Sequence, residues 1–294
     1  ASRFVWSGSR RVGPPGTQPG SLQMYRQPDY GHAQPSGGPS SSAQPCVCID
    51  VPPDANPHLD RFLVPQGVDA GIQANRVRIS DKVTTMHLED GGGMVLAARQ
   101  KGKDWLICTT SSCAESTGVA RVRWHKDGTW TCVRERPHSR TQGWESLVVR
   151  HATHSVSESL PELNVLSGAL PPDALLATEE EHIGELPPGE LASRLRQAEE
   201  GSSSRRAEPS NLLYEIVTKL PKWNGRTQSF ELAFHGRAKL ASERNLQLVQ
   251  RFPQGKERLM LLCGKLDEDE YALDFAHPLS PVHAFAFFLC TSSW

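Results

Sequence analysis

Short stretches in which apolar and polar residues alternate fill most of the chain after residue 75. A period of two is typical of strands that bury one face of a sheet. Gly91-Gly92-Gly93 and Lys126-Asp127-Gly128 are typical of hairpin turns. The pattern predicts the strands Arg76–Ile79, Thr84–Leu88, Met94–Ala98, Trp105–Thr109, Val119–Trp124, Thr129–Val133, Ser146–Val149, Leu212–Thr218, Ser229–His235, Leu246–Gln250, Arg258–Cys263 and Tyr271–Phe275.

The last eighteen residues, His277 to Trp294, form an almost wholly apolar tail. Pro278, Pro281 and His283 interrupt it, so no stretch reaches the roughly 18 continuous apolar residues that a membrane-spanning helix needs. Val282–Leu289 is typical of a helix that is buried on all sides. The tail therefore predicts an internal helix that the upstream strands enclose, and the chain is expected to have no transmembrane span.

Composition divides the chain into an N-terminal arm and a β domain. Residues 1–45 are rich in Gly, Pro, Ser and Gln, and residues 46–72 are a connector punctuated by Pro. Such a segment buries too little apolar surface to offset its ordering entropy, so residues 1–72 are expected to be held by a protein partner. Residues 73–294 are predicted as one β domain. An acidic loop insertion is predicted at about 155–210, with a short solvated helix over Gly189–Glu200.

Charge is spread unevenly along a chain whose formal net charge is −1. Residues 94–140 contain nine Lys or Arg against four acids, whereas residues 158–200 contain ten acids against two Arg. A basic face of this kind suits an anionic partner even when the whole chain is nearly neutral. The seven cysteines are odd in number and irregular in spacing, which favours free thiols in a reducing compartment over a disulfide framework.

A long motif near the C-terminus resembles the signature of tubby-like proteins. The match covers residues 211–294 most strongly and weakens upstream, where Leu88–Gly91, Val95–Arg99, Ala120–Arg123 and Asn164–Leu166 resemble shorter family elements. The matching residues of the signature are Trp223-Asn224, Thr227-Gln228-Ser229, Phe234-His235-Gly236-Arg237, Ala241-Ser242, Asn245, Gln247, Gly264-Lys265, Asp274, Pro278-Leu279 and Ala284-Phe285-Ala286.

The resemblance implies a mainly β fold, a closed antiparallel β barrel around a central hydrophobic C-terminal helix. It also implies a membrane-directed adaptor or scaffold that binds the anionic headgroup of a phosphoinositide. The residues that fall where the family has its basic cluster are Arg99, Lys101, Lys103, Arg121 and Arg123. A solvated basic edge that keeps strands from aggregating is the structural alternative, because Gln100 and Gly102 interrupt the basic run.

A second function is compatible with the same residues. The thinned basic cluster, the acidic insertion and the arm also suit a divergent barrel that serves as a structural accessory subunit of a larger assembly, without lipid binding. The expected location is cytoplasmic and peripheral to a membrane. An organelle is the alternative, because the first 28 residues contain four Arg, several Ser and no acid, as organelle-targeting segments do.

Other motifs give little support for catalysis, metal binding or nucleic-acid readout. The chain has no G-x-S-x-G elbow, and His235-Gly236-Arg237 is interpreted as structural, with Gly where backbones approach and Arg as a buried or rim partner. Glu179 and His182 are half of a di-iron motif, and Cys108, Cys113, His151 and His154 lack zinc-site spacing. Gly264-Lys265 lacks the rest of a P-loop. We therefore expect no enzyme activity, no catalytic residue, no metal and no cofactor, and nucleic acid is an unlikely partner because no base-reading motif accompanies the basic face.

Overall fold

Twelve antiparallel strands form a closed barrel in the computed structural model of the chain. The structure describes residues 3–6, 61–90, 92–134, 145–171, 189–193, 195, 214–252 and 255–293. The barrel strands are β2 (Gln73–Ile79), β3 (Thr84–Leu88), β4 (Met94–Lys101), β5 (Asp104–Cys108), β6 (Gly118–Trp124), β7 (Thr129–Arg134), β8 (Glu145–His154), β9 (Leu163–Leu170), β10 (Tyr214–Thr218), β13 (Leu246–Arg251), β14 (Glu257–Asp267) and β15 (Glu270–Phe275).

The barrel closes between two strands that are distant in sequence. Its order is β10-β13-β14-β15-β2-β3-β4-β5-β6-β7-β8-β9, and the ring is completed where β9 pairs with β10, for example Gly168 with Ile216. Closure leaves these strands without a free sheet edge. The predicted barrel is thereby confirmed.

The C-terminal helix α1 (Pro281–Cys290) lies inside the barrel, as predicted from the apolar tail. All ten of its residues are buried, and Phe285, Phe287 and Phe288 are at most 2% exposed. Ser280 caps the helix: its Oγ accepts a hydrogen bond from the backbone N–H of His283 at 3.2 Å, and Pro281 occupies the first helical position. Among the described residues, no helix has the length and apolarity needed to cross a membrane.

A small second sheet lies outside the barrel order. It consists of β1 (Arg3–Trp6), β12 (Ser229–Ala233) and β11 (Lys222–Asn224), with β12 in the centre. β12 was predicted as a strand, whereas β1 and β11 were not. The backbone of Arg3–Trp6 pairs with Phe230–Ala233, and most of the remaining arm, residues 7–60, lies outside the described residues.

The part of the chain predicted as an acidic insertion contains a barrel strand. β9 lies within residues 155–210 and pairs with β8 from Leu163 to Ala169. Residues 190–193 and 195 are helical, but the expected solvated helix is wrong for this part, because Leu191 and Leu195 are buried against Val148 and Ala169 on the outer wall. The boundaries proposed for the arm, the barrel domain and the insertion stay a prediction.

Glu145 fixes this helical segment to the barrel wall. Its carboxylate accepts hydrogen bonds from the backbone N–H of Gly189 at 2.7 Å and of Leu191 at 3.3 Å. Both donors belong to the start of the segment, where N–H groups have no partner within the helix. Burial raises the pKa of Glu145, and the hydrogen bonds from Gly189 and Leu191 oppose that shift.

Candidate functional site

The outer surface of β4, β5 and β6 brings four of the five predicted basic residues together. Arg99 of β4 is opposite Leu106 of β5, which is opposite Arg121 of β6. One step along the same face, Lys101 is opposite Asp104, and Arg123 follows two residues after Arg121. The four cations thus form two neighbouring rows across three paired strands. We call Arg99, Lys101, Arg121 and Arg123 the basic face.

Alternation along these strands explains why the cations point away from the core. Leu96 and Ala98 of β4 belong to the main hydrophobic core inside the barrel, as do Ala120 and Val122 of β6. Residues that alternate with them must lie on the opposite side of the sheet. Arg99 and Lys101 are exposed, and Arg121 and Arg123 are half-buried, so the basic face is open to a ligand from solvent.

An acid that sequence reasoning missed lies within this face. Glu115, in the short turn before β6, contacts Arg121 Nη2 through Oε2 at 2.9 Å and Lys101 Nζ through Oε1 at 3.6 Å. The hydrogen bond from Arg121 lowers the pKa of Glu115, so this carboxyl stays ionised. Nothing in the sequence signals the contact, because it depends on how the β5–β6 connection folds back over β4.

Lys103, the fifth predicted residue, has a different environment. It follows Gly102 in the β4–β5 turn, where a φ of 67° favours glycine. Its Nζ lies 3.5 Å from the centroid of the Trp124 ring, a cation–π contact. Lys103 is therefore held against an aromatic ring at the end of β6 and is not a member of the two rows.

Arg237 has the rim role that the sequence suggested, in a cluster of ion pairs with Asp274 and Glu89. Its Nε and Nη2 donate to the two carboxylate oxygens of Asp274 at 2.7 and 2.6 Å. Its Nη1 lies 2.9 Å from Glu89 Oε1. Burial raises the pKa of Asp274, and the hydrogen bond from Arg237 opposes this shift. The arrangement ties β15 to the β3–β4 connection and is structural.

Position 236 of the His235-Gly236-Arg237 motif is a glycine for a different reason than the sequence suggested. Gly236 has a φ of 85°, and open space surrounds the position of a Cβ there, so its conformation and not a close approach selects glycine. The close backbone approach occurs at Gly264, where a Cβ would overlap the carbonyl oxygen of Arg237. The expectation that Gly236 allows two backbones to approach is therefore wrong, and its positive φ is the reason for glycine.

The candidate metal ligands do not come together in the described part of the chain. Cys108 and Cys113 are buried in a small cluster with Ala97 and Leu106, and burial raises the pKa of Cys108 to about 12. His151 and His154 lie on β8, three strands away from β5 in the barrel order. Within the described ranges, no group of three His, Cys, Asp or Glu side chains is placed to hold a metal ion. Glu179 and His182 lie outside these ranges.

Comparison with known proteins finds similarity to tubby proteins. Residues 150–293, just under half the chain, match the family model described as Tub family. The chain is 41% identical over 80 residues to Tubby protein homolog 1 of Caenorhabditis briggsae, covering 27% of this chain and 18% of the relative. It is 32% identical over 149 residues to Tubby-like F-box protein 2 of Arabidopsis thaliana, covering 48% and 36%. It is 39% identical over 74 residues to Protein king tubby of Drosophila sechellia, covering 25% and 16%.

These relatives are matched over a minor part of their own length, at most 36% among the three. The matched region nevertheless contains the end of β8, all strands from β9 to β15, and α1. It also contains the Trp223–Arg237 motif. Over residues 150–293 the chain is similar to tubby-like proteins, as the Trp223–Arg237 motif predicted.

Proposed function

We propose that this chain is a non-enzymatic adaptor or scaffold that binds the anionic headgroup of a membrane phosphoinositide through the basic face. The observation that carries the proposal is the placement of Arg99, Lys101, Arg121 and Arg123 in two neighbouring rows on the outside of β4–β6. The protein would act at the cytoplasmic surface of a membrane. A protein partner would engage the 1–72 arm.

Convergence of several cations is what such binding needs. A single exposed ion pair contributes only about 0–1 kcal/mol, whereas several cations that meet one multiply charged phosphate group act together. Glu115 offsets part of the positive charge, because it contacts both Lys101 and Arg121. We therefore expect moderate affinity that falls as salt screens the exposed charges.

Vesicle co-sedimentation tests this function. The full chain is mixed with phosphatidylcholine vesicles that contain or lack about 5% phosphatidylinositol bisphosphate, at low and at physiological salt, where the screening length shortens to about 8 Å. We expect binding only to the phosphoinositide vesicles, and weaker binding at the higher salt. The double variant Lys101→Ala, Arg123→Ala should lose most of it.

A matched pair of substitutions serves as the control. Lys239 and Lys256 are exposed and lie outside β4–β6, so Lys239→Ala, Lys256→Ala removes the same formal charge from elsewhere on the surface. It should bind vesicles like the unmodified chain. Equal loss in both double variants would indicate non-specific attraction and would reject the basic face as the site.

A structural accessory subunit of a larger assembly, possibly in an organelle, is the second candidate function. Glu115 favours it, because an ionised acid within the basic face is unfavourable for an anionic ligand. Size-exclusion chromatography of the protein from its native source separates the two functions. Elution with other subunits, together with no vesicle binding at low salt, supports the accessory subunit, and elution as a free monomer contradicts it.

A further inference from the structure

A cavity of about 510 Å³ lies where α1 ends inside the barrel. Its wall includes the turn between β2 and β3, the start of β5 at Trp105, and Phe288 and Leu289 of α1. The volume is within the range of about 300–1,000 Å³ that small-molecule sites occupy. Phosphoinositide binding at the basic face would use one residue of this wall, Arg99, and none of the others.

Three cations and one acid line the cavity. The cations are Lys82 of the β2–β3 turn, Arg99 of β4 and Arg244 of the connection before β13, and the acid is Asp81. Among the described residues, none of the three cations forms a salt bridge with a carboxylate. Arg244 instead contacts rings, with its Cζ 5.7 Å from the Phe288 centroid and 5.8 Å from the Tyr271 centroid. A guanidinium held by ring contacts keeps donors available for an anion.

The nearby helix end offers little repulsion to an anion. The last carbonyls of a helix carry partial negative charge when they have no partner. Here Thr291 Oγ1 donates to the carbonyl oxygen of Phe288 at 2.6 Å, and Ser292 Oγ donates to that of Leu289 at 2.7 Å. These hydroxyl groups satisfy the carbonyls of Phe288 and Leu289, two residues that line the cavity.

The uncharged part of the wall combines polar residues, Ser80, Thr84, Gln100 and Ser292, with an apolar patch and one buried donor. Ile79, Val83, Phe288 and Leu289 contribute hydrocarbon surface. Trp105 is 7% exposed, and its Nε1–H is buried without an acceptor among the described residues. A buried N–H that lacks an acceptor costs free energy, so a ligand with an acceptor next to the indole would be stabilised there.

We propose that this cavity binds an amphiphilic anion, a molecule with one carboxylate or phosphate head and a short hydrocarbon body. Lys82 and Arg244 would hold the head, with the Trp105 Nε1–H as a further donor to it, and the apolar patch would hold the body. The basic face and the cavity share Arg99 and no other residue of either set. The two sites are therefore separable by substitution.

Isothermal titration calorimetry of the full chain tests the proposal with defined probes. Octanoate and octyl phosphate carry the two kinds of head. 1-Octanol has the same body with an uncharged hydroxyl head, and inorganic phosphate is a head without a body. We expect saturable one-to-one binding of octanoate, octyl phosphate or both, and the stronger of the two identifies the head. Octanol and inorganic phosphate should each bind at least about tenfold more weakly, since each lacks half of the contacts.

Two variants and one control locate the binding. Lys82→Gln and Arg244→Gln should each weaken the preferred probe about three- to tenfold, as loss of one charge contact predicts. The control Lys239→Gln, Lys256→Gln should bind like the unmodified chain. Lys82 is exposed in a turn, so Lys82→Gln remains informative if Arg244→Gln does not fold. Lys82→Gln should also leave phosphoinositide vesicle binding unchanged, which separates this site from the basic face.

Non-saturable binding would overturn the proposal. Equal affinities in the two cavity variants and the control would also overturn it, as would inorganic phosphate that binds as tightly as octyl phosphate.

Discussion

Glu115 controls the charge of the basic face through two contacts. It holds Arg121 at 2.9 Å and Lys101 at 3.6 Å, and it is 52% exposed. If this face binds an anion, Glu115→Gln should raise its affinity for phosphoinositide vesicles, because a repulsive charge is removed and Lys101 and Arg121 no longer pair with an acid there. We expect a gain of about two- to fivefold at low salt, consistent with less than about 1 kcal/mol for an exposed charge.

The same vesicle assay measures the gain, with Glu243→Gln as a control at another surface position. Glu243 precedes Arg244, outside β4–β6, so its substitution should change vesicle affinity little. Weaker binding of Glu115→Gln would mean that Glu115 orients Arg121 and Lys101 for the ligand. That result would contradict the competing role assigned to Glu115 here.

Arg237 illustrates a residue whose geometry decides its effect on stability. Its two parallel hydrogen bonds to Asp274 need a guanidinium, and a lysine ammonium cannot form both. Arg237→Lys should lower the free energy of unfolding by about 2–4 kcal/mol, because Asp274 is buried and loses part of its compensation.

Urea denaturation measures this loss, and Arg78→Lys is the matched control. Arg78 pairs with Glu270 through a single contact at 3.1 Å, and its side chain is 63% exposed. An exposed pair contributes about 0–1 kcal/mol, so the control should unfold near the midpoint of the unmodified chain. Equal loss in both variants would show that the bidentate pair has no special weight.

Strand β9 shows where reading the sequence for elements reaches its limit. Most barrel strands could be predicted, because one face is apolar and the other polar, as in β4 with Leu96 and Ala98 inside and Arg99 outside. β9 is covered on both faces: Leu166 and Leu170 face the core, whereas Ala169 lies under Leu191. A strand buried on both faces has no period of two, so only three of its residues were identified, and only by resemblance.

The candidate site could also be predicted only in part from the sequence. Alternation along β4 and β6 places Arg99, Lys101, Arg121 and Arg123 outside the barrel, and β5 pairs with both strands and so brings these residues onto one face. Two facts depend on side-chain packing that no pattern encodes. Lys103 folds over Trp124, and Glu115 reaches back to Lys101.

The helix α1 packs closely against strand β9 at Gly168, where there is no room for a side chain. A Cβ at Gly168 would overlap the ring of Phe287. Gly168→Ala should therefore lower the free energy of unfolding by about 1–3 kcal/mol through overpacking. The single variant Phe287→Leu should also destabilise the fold, since it leaves a cavity.

The double variant Gly168→Ala, Phe287→Leu distinguishes overpacking from a loss of strand preference. If the methyl group occupies space that the ring vacates, the double variant should be more stable than the sum of the two losses by about 0.5–3 kcal/mol. Urea denaturation gives the values, with Gly225→Ala as a control, because open space surrounds a Cβ there. Strictly additive losses would contradict a contact between the two elements.

At the scale of the whole molecule, the enclosed helix makes barrel stability depend on pH. His283 on α1 is 3% exposed, and burial lowers its pKa from 6.5 to about 4. Burial also lowers the pKa of His151 on β8 to about 4, and a hydrogen bond with Cys290 opposes that shift. Below pH 6.5 the unfolded chain binds protons at these residues that the folded barrel does not, so stability is lost as pH falls from about 7 toward 4.

His283→Gln isolates the contribution of the helix. Glutamine at this position keeps the Ser-x-x-Gln capping box and does not titrate. Between pH 7.5 and 5 the unmodified chain should lose about 2 kcal/mol more stability than His283→Gln, as a shift between the two pKa values requires.

Urea denaturation at both pH values measures the difference, and His154→Gln, at an exposed position of β8, should retain the pH dependence of the unmodified chain. The comparison uses the change with pH and not the absolute stability, so any cost of burying an amide cancels. Equal pH dependence in the unmodified chain and His283→Gln would mean that the helix leaves the barrel, or hydrates, before the strands unfold.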